Sequence, residues 1–412
     1  MVNKLPEGWQ ELTLEHLTKN MVDGPFGSDL KKVHYTENRE ARIIQLSNIG
    51  EDGWKDDNVK YTTFTHANKL KRCIVAYPNV VVAKMMPAGR AMLCPDKEAM
   101  YILSSDAVKI VVDEEIIMPE YFVYATKALF FQEQIDNDTQ GSTRQRTSIK
   151  KLRKNRLLVP QLAEQKKIVR VLSDIDALIA NLELQVEKNR NLKQACLAHL
   201  FPKIGQNEPD VRLPGFSDEW NIKKLSEVVS FSKGKGYSKA DVISWGTPII
   251  LYGRLYTSYQ TYIGSIDTYA LEKVDSVYSR GGEVIIPASG ETDEEIARAA
   301  VVENKGVLLG GDMNILHPYS MLKSGFLALE ITYGASHKVI AKKAQGKTVV
   351  HIHNSDLQDI EIRYPSVTEQ EAICNIFRDV DYQIEKCESE LQKYRAIKQG
   401  MMEQLLTGKI RL

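Results

Sequence analysis

An internal repeat constrains the fold of this chain more than any other feature of its sequence. Residues from Pro160 to Pro202 recur from Pro365 to Gly408, and matching residues such as Glu164 and Glu369 keep a constant separation of 205 positions. The register does not slip anywhere along the repeat. A repeat of this length usually means that one structural unit is used twice.

Each copy predicts one long amphipathic helix, because apolar residues recur at alternating steps of three and four. Ser366 and Glu369 have the spacing of a capping box, and Pro365 excludes an earlier helix start. Pro202 and Gly408 mark the far ends, so each helix should run for about 40 residues, or about 60 Å. The predicted seam is Ile168, Val171, Ile175, Leu178, Leu182 and Leu192 in the first helix and Ile373, Ile376, Val380, Ile384, Cys387 and Ile397 in the second.

Polar residues, among them Asn189 and Tyr394, interrupt the seam in the middle of both helices. Polar seam residues cost stability but can fix the register and the orientation of a partner helix. The alternative is two separate amphipathic helices on separate cores, although helices in globular domains average only about 11 to 12 residues. We therefore expect the helices to pair as a coiled coil. An antiparallel pair would give the molecule pseudo-twofold symmetry.

Composition excludes several classes of protein. Hydrophobic residues make up 43% and charged residues 26%, which is typical of a globular protein and not of a disordered or membrane protein. Lys plus Arg equals Asp plus Glu at 54 each, so any basic surface must be local. The five cysteines form no CxxC pair, and neither a signal peptide nor a membrane span is recognisable, so we expect a cytoplasmic protein.

The residues outside the repeat form two segments that begin alike, with Leu5-Pro6-Glu7-Gly8-Trp9 and Leu213-Pro214-Gly215-Phe216. Both segments contain short β-rich runs, such as residues 80–83 and 284–286, with turn residues between them. This pattern predicts an α/β (α+β) fold with two globular domains and two long helices. The expected boundaries are domain 1–155, helix 156–202, linker 203–212, domain 213–362, and helix with C-terminal tail 363–412.

The sequence shows no convincing catalytic constellation. Residues 341–348, AKKAQGKT, fit a loose phosphate-binding loop, but a strand-like run follows instead of the helix that such a loop needs. His351 and His353 have strand spacing and could bind a metal, yet no Cys or carboxylate follows at a convincing distance. Neither a dinucleotide fingerprint nor a base-methylation motif is present. We therefore expect a non-catalytic binding protein with no metal and no cofactor of its own.

Positive charge is clustered locally, with seven Lys or Arg residues and no acid between residues 144 and 156. Such a run suits phosphate contacts, and a solvated helix face is the alternative. Gly-rich basic loops near residues 24–32 and 232–237 occur once in each globular segment, and such loops can present side chains to DNA. A tyrosine-rich strand edge is the alternative for the tyrosines near 252–262. The candidate DNA contacts are Ser28, Lys31, Lys32, Lys84, Arg90, Arg144, Arg146, Lys150, Lys233, Lys235, Tyr237, Arg254, Tyr256 and Lys347.

Four motifs together resemble one known family. They are Asp23-Gly24-Pro25-Phe26-Gly27-Ser28, Gln-Gly-x-Thr at 140 and 345, Pro-x-x-x-Glu-Gln-x-x-Ile at the start of each helix, and Leu405-Leu406-Thr407-Gly408-Lys409. Over essentially the whole chain the arrangement resembles the DNA-specificity subunit of type I restriction-modification systems. The first helix departs from the pattern, since Leu200-Phe201-Pro202 replaces Leu-Leu-Thr-Gly, which leaves open whether both helix ends bind partners equally.

This resemblance implies two target-recognition domains, each of which reads one half of a split site in double-stranded DNA. It implies that the coiled coil acts as a ruler, and helices of about 60 Å would limit the half-site separation to under two turns of B-DNA. The implied partners are two methyltransferase subunits, which use S-adenosylmethionine, and motor-nuclease subunits, which use ATP and Mg.

Two alternatives come from other functional classes. A coiled-coil scaffold with two protein-binding domains would show no salt-dependent duplex affinity. An ATP-using enzyme at Lys347 would hydrolyse ATP alone and lose function in Lys347→Ala.

Overall fold

The computed structural model describes residues 5–85, 87–139, 146–344 and 350–412. The chain divides into two compact units, of which the first is Met1–Glu183 with Ser389–Leu412 and the second is Leu184–Glu388. Both unit boundaries fall inside long helices, so each unit contains part of both helices. The expected fold class, with mixed helix and sheet in repeated units, is confirmed.

The first globular segment contains two main sheets. Its helices are α1 (Leu14–Leu17), α2 (Phe64–Lys69), α3 (Pro119–Lys127), α4 (Leu129–Thr139) and α5 (Ile149–Leu152), with 3-10 turns at Lys32–His34, Leu46–Asn48 and Lys71–Cys73. Its strands are β1 (Gln10–Thr13), β2 (Thr18–Asp23), β3 (Tyr35–Thr36), β4 (Ala41–Ile44), β5 (Tyr61–Thr62), β6 (Ile74–Val75), β7 (Val80–Ala83), β8 (Ala91–Leu93), β9 (Met100–Leu103), β10 (Ala107–Val112) and β11 (Arg156–Val159). The sheet orders are β2-β10-β7-β8 and β3-β5-β4-β9-β6, and β1 pairs with β11.

The second globular segment lies between the two long helices in the chain. The first long helix is α6 (Leu162–His199); then follow α7 (Leu225–Val228), α8 (Arg254–Thr257), α9 (Asp293–Ile296), α10 (Ser324–Tyr333), α11 (Ala335–Lys343), α12 (Asn354–Leu357) and the second long helix α13 (Val367–Leu405), with a 3-10 turn at Lys239–Asp241. The strands are β12 (Asn221–Lys224), β13 (Val229–Lys233), β14 (Thr247–Ile250), β15 (Tyr262–Ile263), β16 (Tyr269–Ala270), β17 (Glu283–Pro287), β18 (Ser289–Gly290), β19 (Ala300–Val302), β20 (Leu308–Leu309), β21 (Met313–Pro318), β22 (Val350–His351) and β23 (Glu361–Tyr364). The sheet orders are β13-β21-β17-β19-β15, β16-β14-β20, β18-β22 and β12-β23.

One central strand in each unit separates two hydrophobic cores. In β7, Val80 and Val82 pack into one core while Val81 packs into another, because successive side chains of a strand point to opposite faces. In β17, Val284 and Ile285 divide in the same way. Because both faces of these strands are buried, their sequences are continuous apolar runs and do not alternate between apolar and polar residues.

Near its start, each long helix carries a glutamine that binds three main-chain groups. The side-chain oxygen of Gln165 accepts from the N–H of Met118 at 2.8 Å, and its NH₂ group donates to the carbonyls of Ile116 and Pro160 at 2.9 and 2.8 Å. Gln370 repeats these contacts with the residues 205 positions later, at 2.8, 3.0 and 2.9 Å. Both amides are fully buried, so the repeated Glu-Gln motif fixes the helix start to its globular segment.

A glutamate precedes each of these glutamines and binds an arginine with both carboxylate oxygens. Glu164 accepts from Arg411 at 2.5 and 2.7 Å, and Glu369 accepts from Arg212 at 2.8 and 2.7 Å. The arginine comes from the C-terminal tail in the first unit and from the linker in the second. The missing Leu-Leu-Thr-Gly ending of the first helix therefore does not remove this ion pair.

The helices α6 and α13 are antiparallel within each unit. In the first unit, Glu183 pairs with Arg395 and Asp176 with Lys398, at 2.5 and 2.7 Å. In the second unit, the pairs are Arg190 with Glu388 and Lys193 with Asp381, at 2.5 and 2.6 Å. A shift of 205 positions converts each pair of the first unit into a pair of the second unit. The duplication therefore extends to the contacts between the helices.

The buried seam differs in part from the predicted one. Ile168, Ile175 and Leu182 are buried, but Leu178, Leu192 and Ile397 are exposed at 37, 49 and 39%. Val171, Ile376 and Ile384 are partly buried. Further seam positions are occupied by Leu172, Ile179, Val186 and Phe377, all buried.

Candidate nucleic-acid interface

In the first unit, two strand ends meet at one edge of the sheet. Strands β2 and β7 both run antiparallel to β10, so Asp23 at the end of β2 lies near Lys84, which follows β7. The ammonium of Lys84 lies 2.7 Å from the Asp23 carboxylate, and its side chain is 8% exposed. Lys84 is therefore buried and paired in the folded chain, and its contact with DNA stays a prediction.

A glycine directs the chain away from the sheet at this edge. A Cβ atom on Gly24 would lie 1.8 Å from the Ser104 carbonyl oxygen, while the Gly24 N–H donates to Ala107 at 2.9 Å. In the second unit, Gly234 follows β13, and a Cβ there would lie 1.8 Å from the Gly310 carbonyl oxygen. Both predicted basic loops therefore begin at a strand end where a side chain does not fit.

The loop after Gly24 carries exposed polar and basic side chains. Ser28, Lys31 and Lys32 are exposed, and Phe26 is 71% exposed with the Arg72 guanidinium 5.9 Å from its ring centre. These residues are accessible to a partner. Arg90, by contrast, is half-buried and donates from its Nε to the Pro87 carbonyl at 3.2 Å.

The basic run at 144–156 does not form one helix face. Its described part passes through a bridge at Arg146, the short helix α5 and the strand β11. Arg153 and Arg156 are paired with Glu15 and Glu11, at 3.6 and 2.7 Å. Arg146, Lys150, Lys151 and Lys154 are exposed as well, and Arg146 lies 3.7 Å from Asp106. Arg144 and Lys347 lie outside the described residues.

A cavity of about 340 Å³ lies beside Asp23 and Lys84 at this edge of the sheet. The bridge between Met85 and Arg146 and the hydrogen bond from the Thr147 N–H to the Lys84 carbonyl, at 2.9 Å, place the basic run against it. The cavity is lined by Asp23, Lys84, Arg146, Thr147, Ser148 and Lys151.

In the second unit, only part of the predicted contact set is accessible. Lys233 and Lys235 are exposed, and Lys235 lies 3.2 Å from Asp275. Tyr237 is buried, with its hydroxyl 2.6 Å from the Ser276 hydroxyl. Its ring packs in a small core and its hydroxyl has a partner within the domain, so its contact with DNA stays a prediction.

Arg254 and Tyr256 likewise serve the domain itself. The Arg254 side chain is 17% exposed and lies 2.9 Å from Asp267. The Tyr256 hydroxyl donates to the Ser289 carbonyl at 2.7 Å, and burial raises the pKa of this tyrosine. Both side chains have partners inside the domain, and their contact with DNA stays a prediction.

The two histidines of the strand-like run have structural partners. His351 Nδ1 lies 3.1 Å from the Ser289 hydroxyl, and the His353 N–H donates to Asp356 at 2.8 Å, at the start of α12. Within the described ranges, no group of three or more His, Cys, Asp or Glu side chains could hold a metal ion. Over the same residues, no helix is both long and apolar enough to cross a membrane.

Sequence reasoning missed Thr147 and Lys151 as members of this site. Lys151 stood among seven basic residues with nothing to distinguish it, and Thr147 carries no charge. The repeat gives no signal either, because the position 205 residues after Thr147 is Ile352. Only the folded arrangement brings these side chains to Asp23 and Lys84.

Known proteins resemble this chain over most of its length. The family model described as type I restriction modification DNA specificity domain matches residues 27–189 and 217–393. The specificity subunit of the type I restriction enzyme MjaVIII from Methanocaldococcus jannaschii is 22% identical over 322 residues, which cover 76% of this chain and 75% of that protein.

Solved structures share the fold. The S subunit of a type I restriction-modification system from M. genitalium gives a TM-score of 0.62 at 16% identity, covering 98% of this chain and 97% of that one. A chain from a structure on complex assembly and conformational transition of the type I R-M system gives a TM-score of 0.54 at 18% identity, covering 99% and 100%.

Proposed function

The chain belongs to the type I restriction-modification DNA specificity family, and from this premise we propose that it reads a bipartite site in double-stranded DNA. Residues 1–155 and 213–362 are the two recognition domains, and each reads one half of the site. As a specificity subunit, the chain is not itself the enzyme. It directs adenine methylation and restriction by partner subunits.

The observation that carries this proposal is the repetition of one framework with different surface residues. Both units have a central doubly buried strand, a loop that leaves the sheet at a glycine, and a glutamine that fixes the long helix. The loops themselves differ, with Pro25-Phe26-Gly27-Ser28 in one and Lys235-Gly236-Tyr237-Ser238 in the other. A shared framework with different loops suits a protein that reads two different base sequences.

Local positive charge supports DNA as the ligand. The exposed cations Lys31, Lys32, Arg146 and Lys150 belong to the first unit, and Lys233 belongs to the second. Each Lys or Arg that neutralises a phosphate releases counterions and adds affinity that falls with salt. The net charge of zero does not oppose this, because contact with DNA depends on the charge of the contacting surface.

The long helices support the ruler role. Helix α6 has 38 residues and α13 has 39, so each extends for about 57 to 59 Å at 1.5 Å per residue. The antiparallel ion pairs fix their register in each unit. We therefore propose that the length of the helices sets the number of unread base pairs between the half-sites.

The proposed partners are two methyltransferase subunits and the motor-nuclease subunits. S-adenosylmethionine, ATP and Mg would bind to those partners, and this chain would supply the sequence specificity. The exposed side chains of Leu178, Leu192 and Ile397 on the long helices offer apolar surface for such an assembly.

Modified-base sequencing tests the proposal. DNA from cells that express the chain with its methyltransferase should contain methylated adenine in both halves of a split motif, and cells without the chain should lack this pattern. Exchanging residues 1–155 for the corresponding segment of another specificity subunit should change one half-site only. Methylation that is independent of the chain, or a change in both halves, would contradict the proposal.

A further inference from the structure

The polar cavity beside Lys84 has the side chains of an anion site. Its volume is 340 Å³, and Lys84, Arg146 and Lys151 contribute three cations to its lining against the single carboxylate of Asp23. Asp23 is engaged by Lys84 at 2.7 Å. Arg146 lies 3.7 Å from Asp106, a long ion pair that leaves its guanidinium 54% exposed. The lining therefore has an excess of positive charge.

A buried hydroxyl in this lining lacks a hydrogen-bond partner. Thr147 is 2% exposed, and its Oγ1 has no partner among the residues that the structure describes. A buried polar group without a partner costs free energy unless a ligand or water satisfies it. A hydroxyl that can donate beside lysine and arginine side chains matches the acceptor oxygens of a phosphate group.

Among the described residues of the second unit, the matching positions carry different side chains. There, the Ile352 N–H donates to the Ala288 carbonyl at 3.0 Å, just as the Thr147 N–H donates to the Lys84 carbonyl. Strand pairing also places His351 opposite Ser289, as the bridge places Arg146 opposite Met85. At a matching main-chain arrangement, alanine and isoleucine thus replace lysine and threonine, so the described part of the second domain does not repeat these two side chains.

We propose that this cavity, which we call the phosphate pocket, receives one backbone phosphate of the half-site that the first domain reads. The Thr147 hydroxyl donates to a phosphate oxygen, while Lys84, Arg146 and Lys151 supply the positive field. The inference rests on the proposed function. It adds that one phosphate contact fixes the position of the first domain along the duplex, because phosphate contacts position a protein without reading the DNA sequence.

Thr147→Val is the decisive variant, because it removes the hydroxyl and keeps the shape. A structural hydroxyl would destabilise the protein when removed, but an unpartnered one should leave the free energy of unfolding unchanged or raise it. Duplex affinity of the full chain with its methyltransferase subunits should nevertheless fall, by about tenfold for the loss of a charge-assisted hydrogen bond. Thr261→Val is the matched control, since Thr261 in the second unit is also buried with an unpartnered hydroxyl and lies outside this pocket.

A phosphate scan of the duplex locates the contact. With the site known from modified-base sequencing, single neutral methylphosphonate linkages are placed along each half-site and binding is measured by fluorescence anisotropy. One linkage in the first half-site should weaken wild-type binding strongly and Thr147→Val binding much less. Arg146→Gln, at an exposed position, should reduce the slope of log affinity against log salt by about 1.

The outcomes separate the two proposals. Wild-type chain without specific duplex affinity would overturn the proposed function itself. Specific wild-type binding with unchanged affinity in Thr147→Val would overturn only the phosphate pocket. If millimolar inorganic phosphate raised the melting temperature of wild type but not of Thr147→Val, while no linkage showed the differential effect, the pocket would hold free phosphate and the DNA assignment would be wrong.

Discussion

Glu330 lies in the core of the second unit on α10 and is fully buried. Its Oε2 has no hydrogen-bond partner among the described residues, and its Oε1 accepts only a long bond of 3.4 Å from the Ser336 N–H. Burial raises the pKa of this carboxyl to about 8, although hydrogen bonds from Ser336 and the charge of Arg363 act in the opposite direction. The folded protein therefore keeps Glu330 protonated at neutral pH.

Glu330→Gln should make the stability of the chain less sensitive to pH. Between the ordinary carboxyl pKa of 4.5 and the folded value of about 8, the unfolded chain loses the proton and the folded chain keeps it. The free energy of unfolding should then fall by about 1.4 kcal/mol per pH unit as pH rises through this window. Glutamine, which is neutral throughout, should remove that slope.

Urea unfolding at pH 5.5, 6.5 and 7.5 measures the effect. The variant should match wild type near pH 5 and exceed it near pH 7.5. Glu385→Gln, at an exposed position of α13, is the matched control and should keep the wild-type slope. Equal slopes for wild type and Glu330→Gln would show that Glu330 is ionised in the folded chain.

At the scale of the elements, the ion pairs between α6 and α13 differ in how exposed their side chains are. Arg395 and Glu183 are about half exposed, at 58 and 48%, whereas Lys398 is 13% exposed and binds both Asp176 and Asp52. Burial alone would lower the pKa of Lys398, but the hydrogen bonds and charges of these two carboxylates hold it above its ordinary value. Lys398 therefore links the helix pair to a loop of the first globular segment.

Lys398→Glu should destabilise the chain far more than Arg395→Glu. The first change places a third carboxylate between Asp176 and Asp52 in a half-buried position and should lower the free energy of unfolding by about 2 kcal/mol or more. The second change breaks a solvent-exposed pair and should cost about 1 kcal/mol or less. Urea titrations in low and high salt measure both free energies of unfolding. Equal losses for the two variants would refute the claim that burial makes the Lys398 pairs more important.

At the scale of the whole molecule, the duplication determines where residues can be inserted into the long helices without disrupting their seam. Seam positions that the repeat relates include Leu172 and Phe377, Ile179 and Ile384, and Val186 and Leu391, which are seven residues apart along each helix. The unit boundaries after Glu183 and Glu388 lie between repeat-related ion pairs. Whole heptads inserted there preserve the seam, since the pattern repeats every seven residues.

Seven residues inserted at both boundaries should lengthen the unread spacer of the DNA site. A heptad adds about 10 Å of helix, which corresponds to up to three base pairs. Modified-base sequencing should then show a longer spacer between unchanged half-site sequences. The same seven residues inserted into the linker 203–212 are the control and should leave the spacer unchanged; an unaltered spacer after the helix insertions would refute the ruler.

Much of the fold could be predicted from the sequence because its signals are local. Proline predicts where each long helix starts, and the capping spacing supports the second start, where the Glu369 N–H donates to Ser366 at 3.4 Å. The repeat predicted two related units, and the glycines predicted the two basic loops. Such signals depend on main-chain sterics and on periodicity, which a sequence carries by itself.

The seam and the DNA contacts could be predicted only in part, because they depend on which surfaces meet. Val171 and Leu172, like Leu178 and Ile179, are adjacent apolar residues, so steps of three and four fit more than one stripe, and the packed partners select one of them. Lys84, Tyr237 and Tyr256 resemble surface contacts in the sequence but find partners inside the fold. The sequence by itself determined the duplicated architecture, whereas the tertiary structure decided which side chains are buried, paired or free, because burial and pairing depend on residues that are distant in the chain.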